Sequence, residues 1–419
     1  MTASSSPASS RLVFLDWLRI GAFALLVPYH VGMYFVSWNW HIKSAQIVTA
    51  LEPWMRLSSP WRMDLLFVIS GAATAFMLAR GGASAALLGS RARRLLIPLL
   101  FGMLVVVPPQ SYLEVLDKYP YLGSYADFMR LYLTHYTGFC DRPGHCLMLP
   151  TWNHLWFLPY LFFYTLALWG ALRAAPTLLD AAARRLPHAL RGARLVLIPL
   201  LLLAATRWAM FPRWGVTHAL FDDAFAHVQY GAMFVLGALF ARSGAIWPRL
   251  HALRWIGLAL ALAGWALLVT SLAAGPWRAL AFSATQWGGI VAALGFAHRH
   301  FNTDNALRGR LTEAVFPVYL LHQSVIILLA HALVPARLTP VIEGPLLVLL
   351  TFTLCWLGYE GARRVAWLRP LFGLQALAHP PRVPNQVPPS TIASPSKCHT
   401  VSGSPSSSTA NATPNIGTQ

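Results

Sequence analysis

Apolar residues arrive along this chain in runs of about 20, each closed by a short polar or basic stretch. A run of that length crosses a hydrocarbon core of roughly 30 Å as an α-helix. The pattern predicts ten spans, over about residues 12–36, 62–79, 95–112, 152–173, 194–211, 226–242, 254–273, 278–298, 313–334 and 343–363. Connections between the sixth and eighth spans are short, which predicts antiparallel neighbours there. The connection 113–151 is much longer and carries Tyr119, Tyr121, Tyr125, Tyr132 and Tyr136, the make-up of a lid or substrate rim. Residues 1–10 and the Pro/Ser/Thr-rich stretch 376–419 have almost nothing apolar to bury, which predicts disordered tails around a transmembrane domain over 11–375. The first run is long and has no small-residue cleavage site, so it reads as a retained signal-anchor helix. The chain shows no internal repeat.

Composition supports the same class. Of 419 residues, 56% are hydrophobic and only 11% charged, with a mean hydropathy of +0.52. A soluble domain of this length needs far more charge to coat its surface. The expected fold is therefore all-α and polytopic, with the lipid bilayer as its first partner. A formal charge of +18 would otherwise suggest nucleic acid. Its placement argues against that partner: with the N-terminus inside, 21 of the 32 basic residues fall in inside segments and 10 in outside ones. That two-to-one bias follows the positive-inside rule and predicts that both termini are cytoplasmic.

Four cysteines are too few for a disulfide scaffold. Cys140 and Cys146 flank "CDRPGHC" in the long outside loop, near His135 and His145. Free thiols, a small disulfide and a metal site all remain open there, although the spacing matches no strong zinc pattern.

The first span, "RLVFLDWLRIGAFALLVPYH", keeps three ionisable groups in lipid: Asp16, Arg19 and His30. Asp16 and Arg19 are three apart and can neutralise each other on a helix. Arg19 and His30 are eleven apart, which returns to within roughly 20° of one face, about 16 Å along the axis. Because a lipid-facing arginine costs at least about 3 kcal/mol, that stripe must face protein or water. "MDLLFVISG" places Asp64 at the outer mouth of the second span. "RARR" sets Arg91 and Arg94 one turn apart before the third. "NHLWFLPYL" begins the fourth with His154 and Trp156, and "FPVYLLHQS" puts Tyr319 and His322 in the ninth. Each has a plain structural reading too: a helix cap, cytoplasmic anchors, an aromatic belt, a satisfied core histidine.

Taken together, "LDWLRIGAFALLVPYH", "DLLFVISG", "RARRLLIPLLFG", "HLWFLPYL" and "VYLLHQ" resemble the acyltransferase-3 family of integral membrane acyltransferases, in the family's order and over about residues 11–375. "WNWHIKSAQ" (38–46) and "GYEGARRVAWLRPLFG" (358–373) look closest to its glucans biosynthesis protein C branch. The resemblance implies ten core helices in a bacterial inner membrane. It also implies transfer of an acyl group, acetyl or succinyl, from cytoplasmic acyl-CoA to a hydroxyl of a periplasmic or envelope glycan. Acyl-CoA is then a donor substrate, and no bound cofactor or metal is implied. The family's Arg-x10-His element carries over to Arg19 and His30, and its Arg-x-x-Arg element to Arg91 and Arg94 at the donor.

A hydroxyl needs a base to attack a thioester at neutral pH, and histidine suits that task. His30 is the candidate base, with an acyl-histidine intermediate as the alternative. Arg91 and Arg94 would hold CoA phosphates, while Arg19 lines the donor channel and Asp16 orients it. Asp64, Trp156, Tyr319 and His322 would give polar lining or orientation. The rival reading is a multi-span transporter or flippase for an envelope glycan or lipid precursor, for which buried charges are equally natural. The sequence is silent on oligomeric state.

Overall fold

The computed structural model describes residues 12–142 and 145–375, so both expected tails lie outside the described residues. Helices α1 (Val13–Ala24) and α2 (Leu26–Phe35) run through Leu25 as one span; Pro28 has no N–H to close the turn between them. There follow α3 (Glu52–Gly81), α4 (Ala85–Phe101), α5 (Pro108–Lys118), α6 (Tyr125–Leu133), α7 (Phe157–Ala174), α8 (Leu178–Ala189) and α9 (Arg194–Trp214). The chain continues through α10 (Ala224–Ser243), α11 (Ile246–Val269), α12 (Gly275–His300), α13 (Ala306–Leu333), α14 (Pro340–Arg364) and the short α15 (Leu368–Leu371). Among the described residues nine helices are long and apolar enough to cross a membrane, and ten spans result if the bent pair α4–α5 counts as one. The protein is an all-α, multi-pass membrane protein.

Three departures from the expected spans have clear causes. The third span does not end near 112. A π-helical turn at Gly102–Val106 and the Pro108–Pro109 pair, which lacks backbone donors, bend it by 42°, and the chain then continues as α5. The second span begins ten residues early, because the polar stretch from Glu52 is already helical. Asp64 therefore lies three turns inside α3 rather than at a mouth or in a cap. Finally, α10 and α11 barely touch despite their short connection; α10 packs on α3, and α11 on α12.

Glycines explain both of those close pairs. A Cβ on Gly71 or Gly237 would lie within 2 Å of the facing backbone carbonyl of Phe234 or Val68, and one on Gly264 or Gly288 would lie 2.4 or 2.6 Å from that of Ala281 or Gly257. Small residues let membrane helices approach until their backbones touch.

The long connection is ordered by its own small core of Val115, Phe128, Tyr132, Phe139 and Leu149. It contains α6, started by a Ser124–Asp127 capping box, and a hairpin of β1 (Cys140–Arg142) with β2 (His145–Cys146). Cys140 and Cys146 are joined by a disulfide, which resolves the three alternatives left by sequence.

Candidate active site

The site is built where the first span meets α13. Asp16 and His30 are fourteen residues apart, and so are their partners Arg308 and His322. Equal offsets mean that the two helices run parallel and in register over about 21 Å. At one end Arg308 Nη1 donates to Asp16 Oδ2 at 2.5 Å, while Arg19 is 3.6 Å from Asp16 Oδ1. Asp16 thus has a nearer partner than the expected Arg19. At the other end His30 Nδ1 and His322 Nε2 are 2.9 Å apart, with rings nearly parallel. The His30 imidazole faces protein.

Hydrogen-bond logic assigns the protons. His322 Nδ1 is 2.7 Å from the Tyr319 carbonyl oxygen, which can only accept. His322 therefore carries its proton on Nδ1, and its Nε2 offers a lone pair. His30 donates into that lone pair from Nδ1, which leaves its own Nε2 bare. Tyr319 is fixed in turn, its hydroxyl donating to the His154 carbonyl at 2.7 Å.

A second chain of polar groups closes the site from the side of the long connection. His154 Nε2 donates to the Leu320 carbonyl at 3.1 Å. Gln110 donates to Ser324 Oγ at 3.0 Å and accepts from Gln323 at 3.1 Å. Gln323 also donates to His41 Nε2 at 2.7 Å. His41 Nδ1 then meets Glu114, whose other oxygen accepts from Lys118 at 2.7 Å. The loop carrying His41 is tied down by Lys43, which donates to the carbonyls of Met33, Val36 and Trp38 at the end of α2. Burial lowers the Lys43 pKa. From this loop Trp40 stacks on His30, with centroids 6.4 Å apart.

Sequence reasoning missed Gln110, Gln323, Ser324 and the role of His41. It also missed Arg62, which is 4% exposed and stacked 3.7 Å over the Tyr29 ring. Its Nε and Nη1 are buried and meet no hydrogen-bond partner, and His30 and His322 both lie within its electrostatic range. The findable signal was polar character itself, since every polar side chain in an apolar run must meet protein or water. Although histidines 30, 41, 154 and 322 converge, no group of three or more potential ligands among the described residues is arranged to hold a metal ion.

Two supporting candidates lie elsewhere. Asp64 is caged by Gln229, donating to both carboxylate oxygens at 3.2 and 3.0 Å, and by Gln286 at 3.0 Å. Trp156 stacks on His218 with centroids 3.9 Å apart and packs on Phe67 and Phe157 rather than on the paired histidines. Burial pushes the His218 pKa down to about 4.

Arg91 and Arg94 lie two turns inside α4 rather than before it. Arg91 is within electrostatic range of both Arg94 and Arg19, so the three form one basic cluster, beside the Asp16–Arg308 pair. Phe23, packed on Tyr319 at 5.3 Å and Phe157 at 6.4 Å, separates this cluster from the histidines.

Residues 12–360 match the family described as an acyltransferase domain. The Glucans biosynthesis protein C of Salmonella gallinarum, Salmonella paratyphi A and Salmonella agona are each 28% identical to this chain over 249 residues, 56% of this chain and 59% of theirs. The chain thus spans 59% of the length of these curated relatives. No solved structure matches it significantly.

Proposed function

This chain belongs to the acyltransferase-3 family of membrane acyltransferases, and from that premise we propose that it moves a succinyl or acetyl group from cytoplasmic acyl-CoA to a hydroxyl of a periplasmic or envelope glycan. The observation that carries this reading is the relay from His30 through His322 to the Tyr319 carbonyl. It leaves His30 Nε2 with a free lone pair, the requirement for a general base. The names of the relatives suggest a glucan as the acceptor class.

In the proposed step, His30 Nε2 takes the acceptor proton as the hydroxyl oxygen attacks the thioester carbonyl. His322 Nε2, already accepting from His30, stabilises the imidazolium that forms. Arg62, buried with Nε and Nη1 unpartnered and in no ion pair among the described residues, faces the charge that develops on the carbonyl oxygen. Collapse expels the CoA sulfur, which takes the proton from His30; ester and thiol are the products. Arg91, Arg94 and Arg19 hold the CoA phosphates at the other end of the span, and the thioester arm passes Phe23 to reach the histidine. The Cys140–Cys146 disulfide favours an oxidising compartment on the side of the long connection. A bacterial inner membrane, with the arginine cluster cytoplasmic, fits that polarity and the basic bias of the sequence.

The test is to incubate purified protein with a panel of acyl-CoAs and measure CoA release, alongside His30→Ala. Release with one donor, abolished by the substitution in protein that still folds, is expected. Folded wild-type protein that turns over no acyl-CoA, with or without glycan, overturns the reading.

A further inference from the structure

Away from the histidines, a cavity of about 780 Å³ opens between the start of α3, the ends of α9 and α11, and the start of α12. Arg56, Arg207 and Arg278 line it, with Trp38, Phe211 and Phe282 among its walls. Its volume is that of a small-molecule site.

Three guanidiniums repel one another unless something negative stands between them. No ion pair joins any of the three to a carboxylate among the described residues. Glu52 acts on Arg56 and Asp64 on Arg207 electrostatically, but neither closes an ion pair with its arginine: Glu52 accepts from the Ser37 backbone N–H and hydroxyl, and Asp64 accepts from Gln229 and Gln286. The guanidiniums are also oriented. Arg207 lies over the Phe282 ring at 3.3 Å and the Phe211 ring at 4.3 Å, and Arg56 over Trp38 at 5.5 Å. Stacking covers the faces of a guanidinium and leaves its N–H edge to offer in plane.

We propose that this cavity is a binding site for a phosphate ester, the three arginine edges taking the phosphate oxygens and the aromatic walls taking the organic body. A tetrahedral anion with several oxygens suits three forks converging from three helices. A bare anion would leave most of the volume empty. The phosphate can come from a lipid headgroup or from a soluble phosphate ester, and the site does not depend on the acyl-transfer reading.

The test uses the full chain in a phosphate-free maltoside detergent, titrated separately with phosphatidylglycerol and with glycerol 1-phosphate; glycerol is the neutral control. The readouts are Tm and native mass spectrometry. A saturable rise in Tm with one ligand and none with glycerol is expected, and the ligand that saturates identifies the source. Arg56→Gln/Arg207→Gln/Arg278→Gln should weaken that binding at least tenfold. To separate binding from folding, Arg278→Gln, at an exposed position, is measured too and should weaken binding at least threefold. The proposal is overturned if neither ligand saturates, or if the folded variants bind as tightly as wild type.

Discussion

His30 Nδ1 lies 2.9 Å from His322 Nε2, and the far side of the His322 ring is anchored on the Tyr319 carbonyl. His322 thereby decides which His30 nitrogen stays bare, without itself facing the reacting atoms. A partner of this kind is worth about 10- to 100-fold where it has been measured around metal-bound histidines. His322→Ala should lower kcat by about that factor and leave the KM for acyl-CoA unchanged. His322→Gln, whose Oε1 can accept near the position of Nε2, should recover part of the loss. Steady-state CoA release checks both; equal rates for the Ala and Gln variants would exclude the tautomer role.

Arg62 makes the opposite demand on fold and function. A buried cation without a counter-ion opposes folding, and replacing such groups by apolar residues of similar size is often neutral or stabilising. Arg62→Met should therefore keep or raise Tm while lowering kcat about 10²- to 10³-fold, the usual loss for one oxyanion donor. A merely structural arginine would lower both together. Thermal unfolding and turnover on one preparation separate the cases, and an unchanged kcat ends the assignment.

The span count was legible because lipid demands long apolar runs and tolerates little else. The bend at Gly102–Val106 was not, since hydropathy is blind to where backbone donors are missing. Asp16, Arg19, His30 and His322 stood out as ionisable groups in apolar runs. Their pairing did not: the Arg308 and His322 contacts each bridge 292 residues, so a local reading matched Asp16 with its neighbour Arg19. Asp64 was misplaced because its helix begins in a stretch too polar to count as a span. The glutamines at 110, 229, 286 and 323 passed unnoticed as uncharged, yet each lies in or beside a span, bonded to an ionisable or polar partner.

The loop before α10 carries a pH-sensitive contact. His218 sits on Trp156 with a left-handed backbone, φ 58°, and its pKa falls from 6.5 to about 4 through burial, with the Asp223 carboxylate nearby opposing the shift. Between those values the unfolded chain binds the proton and the folded one does not, so stability falls as pH falls from about 6.5 to 4. The loss, complete only below about pH 4, is at most about 3 kcal/mol, since at neutral pH the ring is unprotonated in both states. His218→Asn, which tolerates the left-handed backbone, cannot titrate. Its Tm should fall less steeply than that of wild type over this window; parallel Tm–pH curves would show that another group carries the effect.

Arg91 has a buried Nε without a hydrogen-bond partner and shares its surroundings with Arg94 and Arg19. Like charges held this close are relieved by a polyanion, which is what the nucleotide end of CoA supplies. One charge-assisted hydrogen bond is worth about 1.5–3 kcal/mol, so Arg91→Ala should raise the KM for acyl-CoA about 10- to 100-fold. Arg91 lies near Arg19, and Arg19 lies about 16 Å along the first span from His30. The lost interaction is therefore the same in ground and transition states, and kcat should hold. An acyl-pantetheine donor, which has the thioester but no phosphate, supplies the control. It should react more weakly with wild type, and the substitution should not affect it. If Arg91→Ala instead slows acyl-pantetheine as much as acyl-CoA, the arginine serves the fold or the reacting end of the donor, and the phosphates are held elsewhere.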